Sequence, residues 1–324
     1  MKPAAATDLP DVADIYCAQA RIRHLVHATP VLNDPLLDEA LGCKVYCKCE
    51  NFQRTGAFKF RGACNAIACL QEQELAGEVA THSSGNHGAA LALAARLAGR
   101  TAHVVMPENS SPMKIDAVKS YGGQVHFCSP TNEARAAELQ KLVAEGMIPV
   151  HPYDDPRIIA GQGTAALELE QAVPTLEQVV TPLGGGGLVS GTAIATESWG
   201  VSVFAVEPEG AADTVASLKR GEVISEFSPD TIADGLRAIV GMRNFQVIRD
   251  RVTGVLTVSD DEMRLAMVLF WQKMKILIEP SSATVIAALQ KYPETFAGHK
   301  VGVVISGGNI HPAEWLRLTG KLSD

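Results

Sequence analysis

Between Lys44 and Ser306 the chain repeats one pattern, a short apolar run, a turn, then a helical stretch. The runs are KVYCKCE, EVATHSS, TAHVVMP, QVHFCS, QVVTPL, VSVFAVEP and KVGVVIS, with helical stretches such as HGAALALAARLAG and SPMKIDAVKSYG between them. Apolar runs of this length alternating with helical segments predict parallel strands joined by crossover helices, both sheet faces being covered. The expected fold class is α/β with a twisted, mostly parallel sheet. Ligands of such sheets bind where strand ends meet helix starts, so the junctions are where function should lie.

Bulk properties narrow the classes. Lys+Arg 28 against Asp+Glu 36 gives a formal net charge of −8, and no basic block interrupts the chain. That argues against a nucleic-acid or anionic-membrane partner. No run reaches the ~20 apolar residues that span a bilayer, and MKPAAATDLPDVADIY lacks the apolar stretch of a signal peptide. A cytoplasmic enzyme is the expectation. The seven cysteines are odd in number and lack disulfide-like spacing, and Cys64, Cys69 and Cys128 sit inside apolar segments. Cys43, Cys47 and Cys49 could suggest zinc, but no fourth soft ligand follows at finger-like spacing, so buried strand cysteines are expected.

Three junctions stand out. In PLGGGGLVSG, Gly184, Gly185, Gly186 and Gly187 separate a strand from a helical run beginning at Leu188. Four glycines carry a large entropic cost, which makes sense if backbone N–H groups must approach an anion at a helix N-terminus. The spacing fits neither a dinucleotide fingerprint nor a P-loop, leaving a phosphate-bearing cofactor that is not a nucleotide. In THSSGNHGAA, Ser83, Ser84, Asn86 and His87 surround Gly85, where a helix start favours a carboxylate; capping explains only part of this cluster. In ISGGN, Ser306 ends an apolar strand before a glycine turn, which a simple tight turn explains as well.

TGAFKFRGA places Lys59 between two phenylalanines at a helix start. A helical lysine is ordinarily a solvated one. Beside a phosphate cradle and a carboxylate-binding loop, a lysine of lowered pKa forming a Schiff base with an aldehyde cofactor fits better. Pyridoxal phosphate carries both aldehyde and phosphate.

ENFQRTGAFKFRGA, SSGNHG, IAGQGT, GGGGLVSG, EPEGAAD, IADG, KILIEP and SGGN occur in this order. The chain thereby resembles, over essentially its whole length, the serine racemase and short threonine/serine dehydratase group of fold-type II (tryptophan synthase β-like) pyridoxal-phosphate enzymes. The resemblance implies a large domain from residues 1–52 and 149–324 and a small inserted domain from 53–148, with the cofactor in the cleft. It implies that Lys59 holds the cofactor with Phe58 beside the ring. Gly184 to Gly187 and Leu188 would hold the phosphate, Asn86 the ring hydroxyl and Ser306 the pyridine nitrogen. Ser83, Ser84, Gly85 and His87 would clamp the substrate carboxylate, with Arg135 at the cleft border. Ser84 lies where racemases of this group place the acid/base of the opposite face, although a helix-start hydroxyl is an equal reading.

A neutral serine cannot keep the ring nitrogen protonated as a carboxylate would. The weaker electron sink favours β-elimination or racemisation over transamination. Lys59 would remove the Cα proton as general base, the β-hydroxyl would leave as water, and a 2-keto acid and ammonia would result from serine, threonine or 3-hydroxyaspartate. The resemblance further implies a homodimer and a divalent-cation site (Mg²⁺, Mn²⁺ or Ca²⁺) of Glu207, the Ala211 carbonyl and Asp213, a hard oxygen set. Tyr121, Lys275 and Asn309 are compatible with the group's ATP site, but Ala89 replaces the glutamine of the mammalian pattern and argues against nucleotide activation. Tyr153, Ala238 and Ile239 replace the asparagine and the serine pair of mammalian racemases, which favours the dehydratase. The alternatives are an amino-acid racemase with dehydratase side activity, a cysteine synthase-like β-replacement enzyme and a cofactor-binding protein without turnover.

Overall fold

The structure is a computed structural model describing residues 8–83 and 85–320. Its strands are β1 (Val31–Leu32), β2 (Lys44–Cys49), β3 (Val79–His82), β4 (Ala102–Pro107), β5 (Gln124–Cys128), β6 (Ile148–Pro149), β7 (Gln178–Pro182), β8 (Ser202–Pro208), β9 (Gly254–Val258) and β10 (Lys300–Ile305). They form a six-stranded sheet in the order β1-β2-β10-β7-β8-β9 and a four-stranded sheet in the order β5-β4-β3-β6. Every pairing is parallel except β1 with β2.

All seven expected runs are strands. β1 and β6 are only two residues long, too short for a periodic signal, and β9 opens on a glycine at a half-buried sheet edge. The continuous apolar character of β4 and β7 has a direct cause, since every residue of both is buried. On one face of the large sheet, Val180, Val206 and Val303 pack against Met263, Met267 and Phe270 of helix Asp260–Met274 and Ile286 of helix Pro280–Lys291. On the other, Val203 and Ala205 meet Ile15, Ile159, Val189 and Phe245 from four further helices. Phe60, Ile67 and Leu70 of helix Lys59–Glu72 join a separate core with Leu91 of helix Asn86–Leu97 and with Val79 and Val104 of the small sheet. Cys43, Cys47 and Cys49 are buried in the large core, and among the described residues no three His, Cys, Asp or Glu side chains could together hold a metal ion.

The strand order places the site. β7, β8 and β9 progress outward in one direction, whereas β10 returns to the opposite side of β7, next to β2. The switch therefore falls between β10 and β7, the place where open α/β sheets bind ligands. The segments leaving the C-terminal ends of β2, β10 and β7 contain Lys59, Ser306 and the four glycines.

Candidate active site

The segment carrying Lys59 is sewn to the ISGGN turn. Thr55 and Gly56 both adopt left-handed backbone conformations, φ 62° and 73°. The Gly308 N–H donates to the Gly56 carbonyl at 3.0 Å, Asn309 Nδ2 to the Thr55 carbonyl at 2.7 Å, and the Phe58 N–H to the Ser306 carbonyl at 3.0 Å. A non-glycine residue with positive φ costs about 1 kcal/mol or more, and persists where its surroundings dictate it. This stitching fixes where helix Lys59–Glu72 begins. Lys59 Nζ donates to the Pro152 carbonyl at 2.9 Å and lies 5.2 Å from the Phe58 ring centroid and 5.9 Å from that of Tyr153. Burial without a carboxylate partner lowers the amine to about 8. His87 and His151 nearby are lowered further, His151 to about 3, first by burial and then by neighbouring positive groups. At neutral pH the lysine is thus flanked by neutral imidazoles.

The glycine junction has two causes, one of which the sequence conceals. A Cβ on Gly185 would lie 2.3 Å from the Tyr153 ring, and one on Gly186 2.6 Å from Asn244 Cβ, so packing alone excludes side chains there. Gly186 also has φ +94°, which glycine adopts freely. Asn244 Nδ2 fixes the loop by donating to the Gly185 carbonyl at 2.7 Å. The second cause is electrostatic. Gly184 to Leu188 are all buried, and among the described residues none of their five backbone N–H groups has an acceptor. Buried backbone donors are nearly always paired, and helix Gly187–Ala195 starts in this run. A row of unpaired amides at a helix N-terminus fits a phosphate.

The loop after β3 meets the ISGGN turn through Asn86. Ser83 Oγ accepts from the Gly85 N–H at 3.2 Å, and helix Asn86–Leu97 follows. Ser84 lies outside the described residues. Asn86 Nδ2 donates to Glu279 Oε1 at 3.0 Å, and Asn86 Oδ1 accepts from Asn309 Nδ2 at 2.9 Å, keeping one lone pair for a further donor. The His87 side chain is buried against the Val150 backbone. Arg135 is half-buried, and its positive charge acts on His82 and Tyr153. On the other side, Ser306 Oγ lies 3.1 Å from Ser282 Oγ.

Glu207 is the second-last residue of β8 and Asp213 opens helix Asp213–Arg220, with Ala211 buried between them. Glu207 accepts from the Thr214 and Val215 N–H groups at 3.0 and 3.1 Å, and Asp213 Oδ2 from the Val240 N–H at 2.8 Å, while Asp213 Oδ1 has no partner. Burial raises Glu207 to about 8, with the Asp213 charge adding to it, and burial raises Asp213 to about 6. Two buried acids without a cationic side chain suit a hard divalent cation. Of the residues compatible with a nucleotide, Tyr121 is half-buried, Lys275 is exposed with Nζ bonded to the Gln272 carbonyl, and Asn309 is spent on Thr55 and Asn86.

Sequence reasoning missed several residues that shape the site. Glu279 is buried and ties Asn86 to the Asn309 N–H, which reaches it at 3.1 Å. Its motif, KILIEP, was visible, but its partners lie 193 and 30 residues away. Asn244 gives no local signal at all. Arg61, two residues beyond Lys59, is fully buried between Glu50 and Glu168.

Comparison with known proteins converges on one group. A family model described as pyridoxal-phosphate dependent enzyme matches residues 22–307. The chain is 45% identical over 317 residues to a serine racemase of Dictyostelium discoideum, covering 96% of this chain and 97% of that protein. It is 43% identical over 305 residues to a beta-hydroxyaspartate dehydratase of Paracoccus denitrificans (strain Pd 1222), covering 93% and 97%. The crystal structure of a T.th. threonine deaminase superposes with a TM-score of 0.88 at 38% identity, over 93% of this chain and 99% of that one.

Proposed function

The chain belongs to the pyridoxal-phosphate dependent enzymes, and from that premise we propose that it is an ammonia-lyase of β-hydroxy amino acids. It converts serine, threonine or 3-hydroxyaspartate to a 2-keto acid and ammonia in a cleft between a large domain (1–52 and 149–324) and a small one (53–148). One juxtaposition carries the reading: the Tyr153 ring lies 5.9 Å from a lysine amine lowered to about 8 by burial and also packs on Gly185, within a run of five buried backbone amides that have no acceptor among the described residues. When bound, pyridoxal phosphate stabilises the negative charge left at Cα after its proton departs.

This chain's residues do the rest. Gly184 to Leu188 would bind the phosphate through backbone N–H groups, and Asn86 and Ser306 would orient the ring. Lys59 would hold the cofactor, and as a free amine it would take the Cα proton at Nζ. With its pKa at about 8, roughly half of the amine is unprotonated at pH 8, against well under 1% for an ordinary lysine. Phe58 and Tyr153 flank that amine and exclude water. Ser83, Gly85 and His87, with Ser84, receive the substrate carboxylate, and Arg135 adds positive charge at the border. Glu207, Asp213 and the Ala211 carbonyl hold a divalent cation of the magnesium class, away from the reacting atoms. The reading includes a cytoplasmic homodimer, as in the family resemblance, and no nucleotide activation, because Ala89 offers no polar group. Among the described residues no helix is long and apolar enough to cross a membrane.

A second reading, amino-acid racemisation with elimination as a side reaction, is favoured by the likeness to the Dictyostelium serine racemase. A panel of the three substrates, scored for ammonia with and without chelator and followed by chiral analysis of residual substrate, separates the two. Keto acid and ammonia as the main products support the lyase; inversion outpacing ammonia release overturns it. Lys59→Ala should lose the visible absorbance of bound cofactor and all turnover, and retention of either contradicts the assignment of Lys59.

A further inference from the structure

The N-terminus of helix Met242–Arg251 is tied to both sides of the glycine run. The Gly241 N–H donates to the Gly185 carbonyl at 3.1 Å, and the Met242 and Arg243 N–H groups each donate to Asp154 at 3.2 Å. Asn244, fully buried in the first turn, adds its side-chain amide. Nδ2 lies 2.7 Å from the Gly185 carbonyl oxygen and 3.2 Å from that of Tyr153. Carbonyls only accept, so the amide nitrogen must face both of them, with one proton for each. Oδ1 is left buried without a donor among the described residues. The contribution of this amide therefore lies in its two donated bonds. They hold the Gly185 carbonyl in place. No peptide among the described residues is cis, and in a trans peptide the carbonyl and the next N–H point in opposite directions. The Gly186 N–H is thereby turned away from Asn244. The constraint matters because a flip of the Gly185–Gly186 peptide rotates only glycine dihedrals, which no Cβ opposes. Glycines let an anion come close, but they do not fix which way their amides point.

We infer that Asn244 is a positioning residue for the cofactor phosphate: by holding the Gly185 carbonyl, it keeps the Gly186 N–H in the row of unpaired amides that receives the anion. The inference rests on the pyridoxal-phosphate reading and deepens it. The second bond, to the Tyr153 carbonyl, braces the same loop against the residue whose ring covers Gly185. Without Asn244 the Gly185 carbonyl keeps only the longer bond from Gly241. A flipped peptide would then present the negative end of a carbonyl to the phosphate in place of an N–H. One hydrogen bond to a charged group is equivalent to about a ten- to hundredfold change in a dissociation constant.

The test compares full-length holoenzyme of the wild type with Asn244→Leu, which keeps a branched side chain and removes both donors. Each is dialysed to equilibrium against graded pyridoxal phosphate and, separately, against pyridoxal, which lacks the phosphate. In Asn244→Leu the dissociation constant for pyridoxal phosphate should rise about ten- to a hundredfold, while that for pyridoxal stays at its wild-type value. The ³¹P resonance of the bound cofactor should shift as well. If Asn244→Leu does not fold, Asn244→Ser serves, its side chain being too short to reach both carbonyls. Wild-type affinity for pyridoxal phosphate and a wild-type ³¹P resonance in a folded variant overturn the role of Asn244. An equal loss of affinity for both ligands overturns it too, by making Asn244 a packing residue. If the wild type binds pyridoxal as tightly as pyridoxal phosphate, or borohydride reduction leaves no cofactor label on Lys59, the underlying reading fails instead.

Discussion

Two places in this molecule gather acids away from solvent, Glu50 with the half-buried Glu168 and Glu207 with Asp213, and they balance the charge in opposite ways. Behind the Lys59 helix, Glu50 receives Arg61 Nε at 2.8 Å and Nη2 at 2.9 Å, and Glu168 receives Arg61 Nη1 and Nη2 at 2.7 Å and Lys48 Nζ at 2.6 Å. Burial alone would raise Glu50, but the Arg61 charge and hydrogen bonds outweigh it and hold the carboxyl below its usual range. Beyond β8, Glu207 and Asp213 are buried with backbone N–H groups and the Thr214 hydroxyl as donors and no cationic side chain, and both are raised. The first cluster contains its own cations and is structural. It joins β2, the Lys59 helix and helix Pro156–Ala172. The second lacks a cation, and so fits a site that takes one from solution. Burial is common to both; the identity of the neighbour decides what the acid is for.

The largest effect expected from this contrast comes from Arg61→Met. Removing one partner of a buried ion pair costs about 3–5 kcal/mol, which urea unfolding at pH 7 would measure. A cost below about 1 kcal/mol would mean that Arg61 does not balance the two acids. Next in size is the cation. Magnesium at about 100 times its dissociation constant should stabilise the wild type by about 2.7 kcal/mol, an effect that chelator reverses and Asp213→Asn abolishes. Calorimetry showing equal magnesium responses in both proteins would break the contrast.

The pH dependence should then differ in sign. The folded Glu207 titrates at about 8 against a usual 4.5, so its contribution is complete below 4.5 and is lost as pH rises toward 8. In chelator, Tm should fall across that window, and magnesium should restore more at pH 8 than at pH 5. Glu50, held low, contributes above the usual carboxylate pKa and loses its contribution as pH falls through its lower folded pKa. A Tm in chelator that rises steadily from pH 5 to 8 would place the Glu207 and Asp213 charges elsewhere. The smallest effect is Lys48→Met, about 1–2 kcal/mol by the same unfolding assay, because Arg61 still satisfies Glu168. A loss as large as that of Arg61→Met would show that Lys48 is equally needed.

Much of the site was legible because its parts are local. GGGG between a strand and a helix, SSGNHG after a strand, and a lysine between phenylalanines each announce a junction within ten residues. What was illegible is long-range. In KVYCKC, strand alternation sets Lys48 apart from Val45, Cys47 and Cys49, as for a solvent-facing residue, yet Lys48 is buried because Glu168, 120 residues later, covers it. The glycines announced an anion; that Tyr153 and Asn244 fill the space above two of them could not be foreseen. Ser282 looked like an ordinary helix-start serine until β10 brought Gly307 and Ser306 against it.

By itself the sequence determined the alternation of strands and helices, the run of glycine amides and which lysine stands at a helix start. These follow from periodicity and from each residue's own conformational limits, which act over a few neighbours. Tertiary structure alone decided how far the Lys59 amine is lowered and which buried acids have a cationic partner and which do not. Such properties depend on desolvation and on groups brought within about 3 Å from distant parts of the chain.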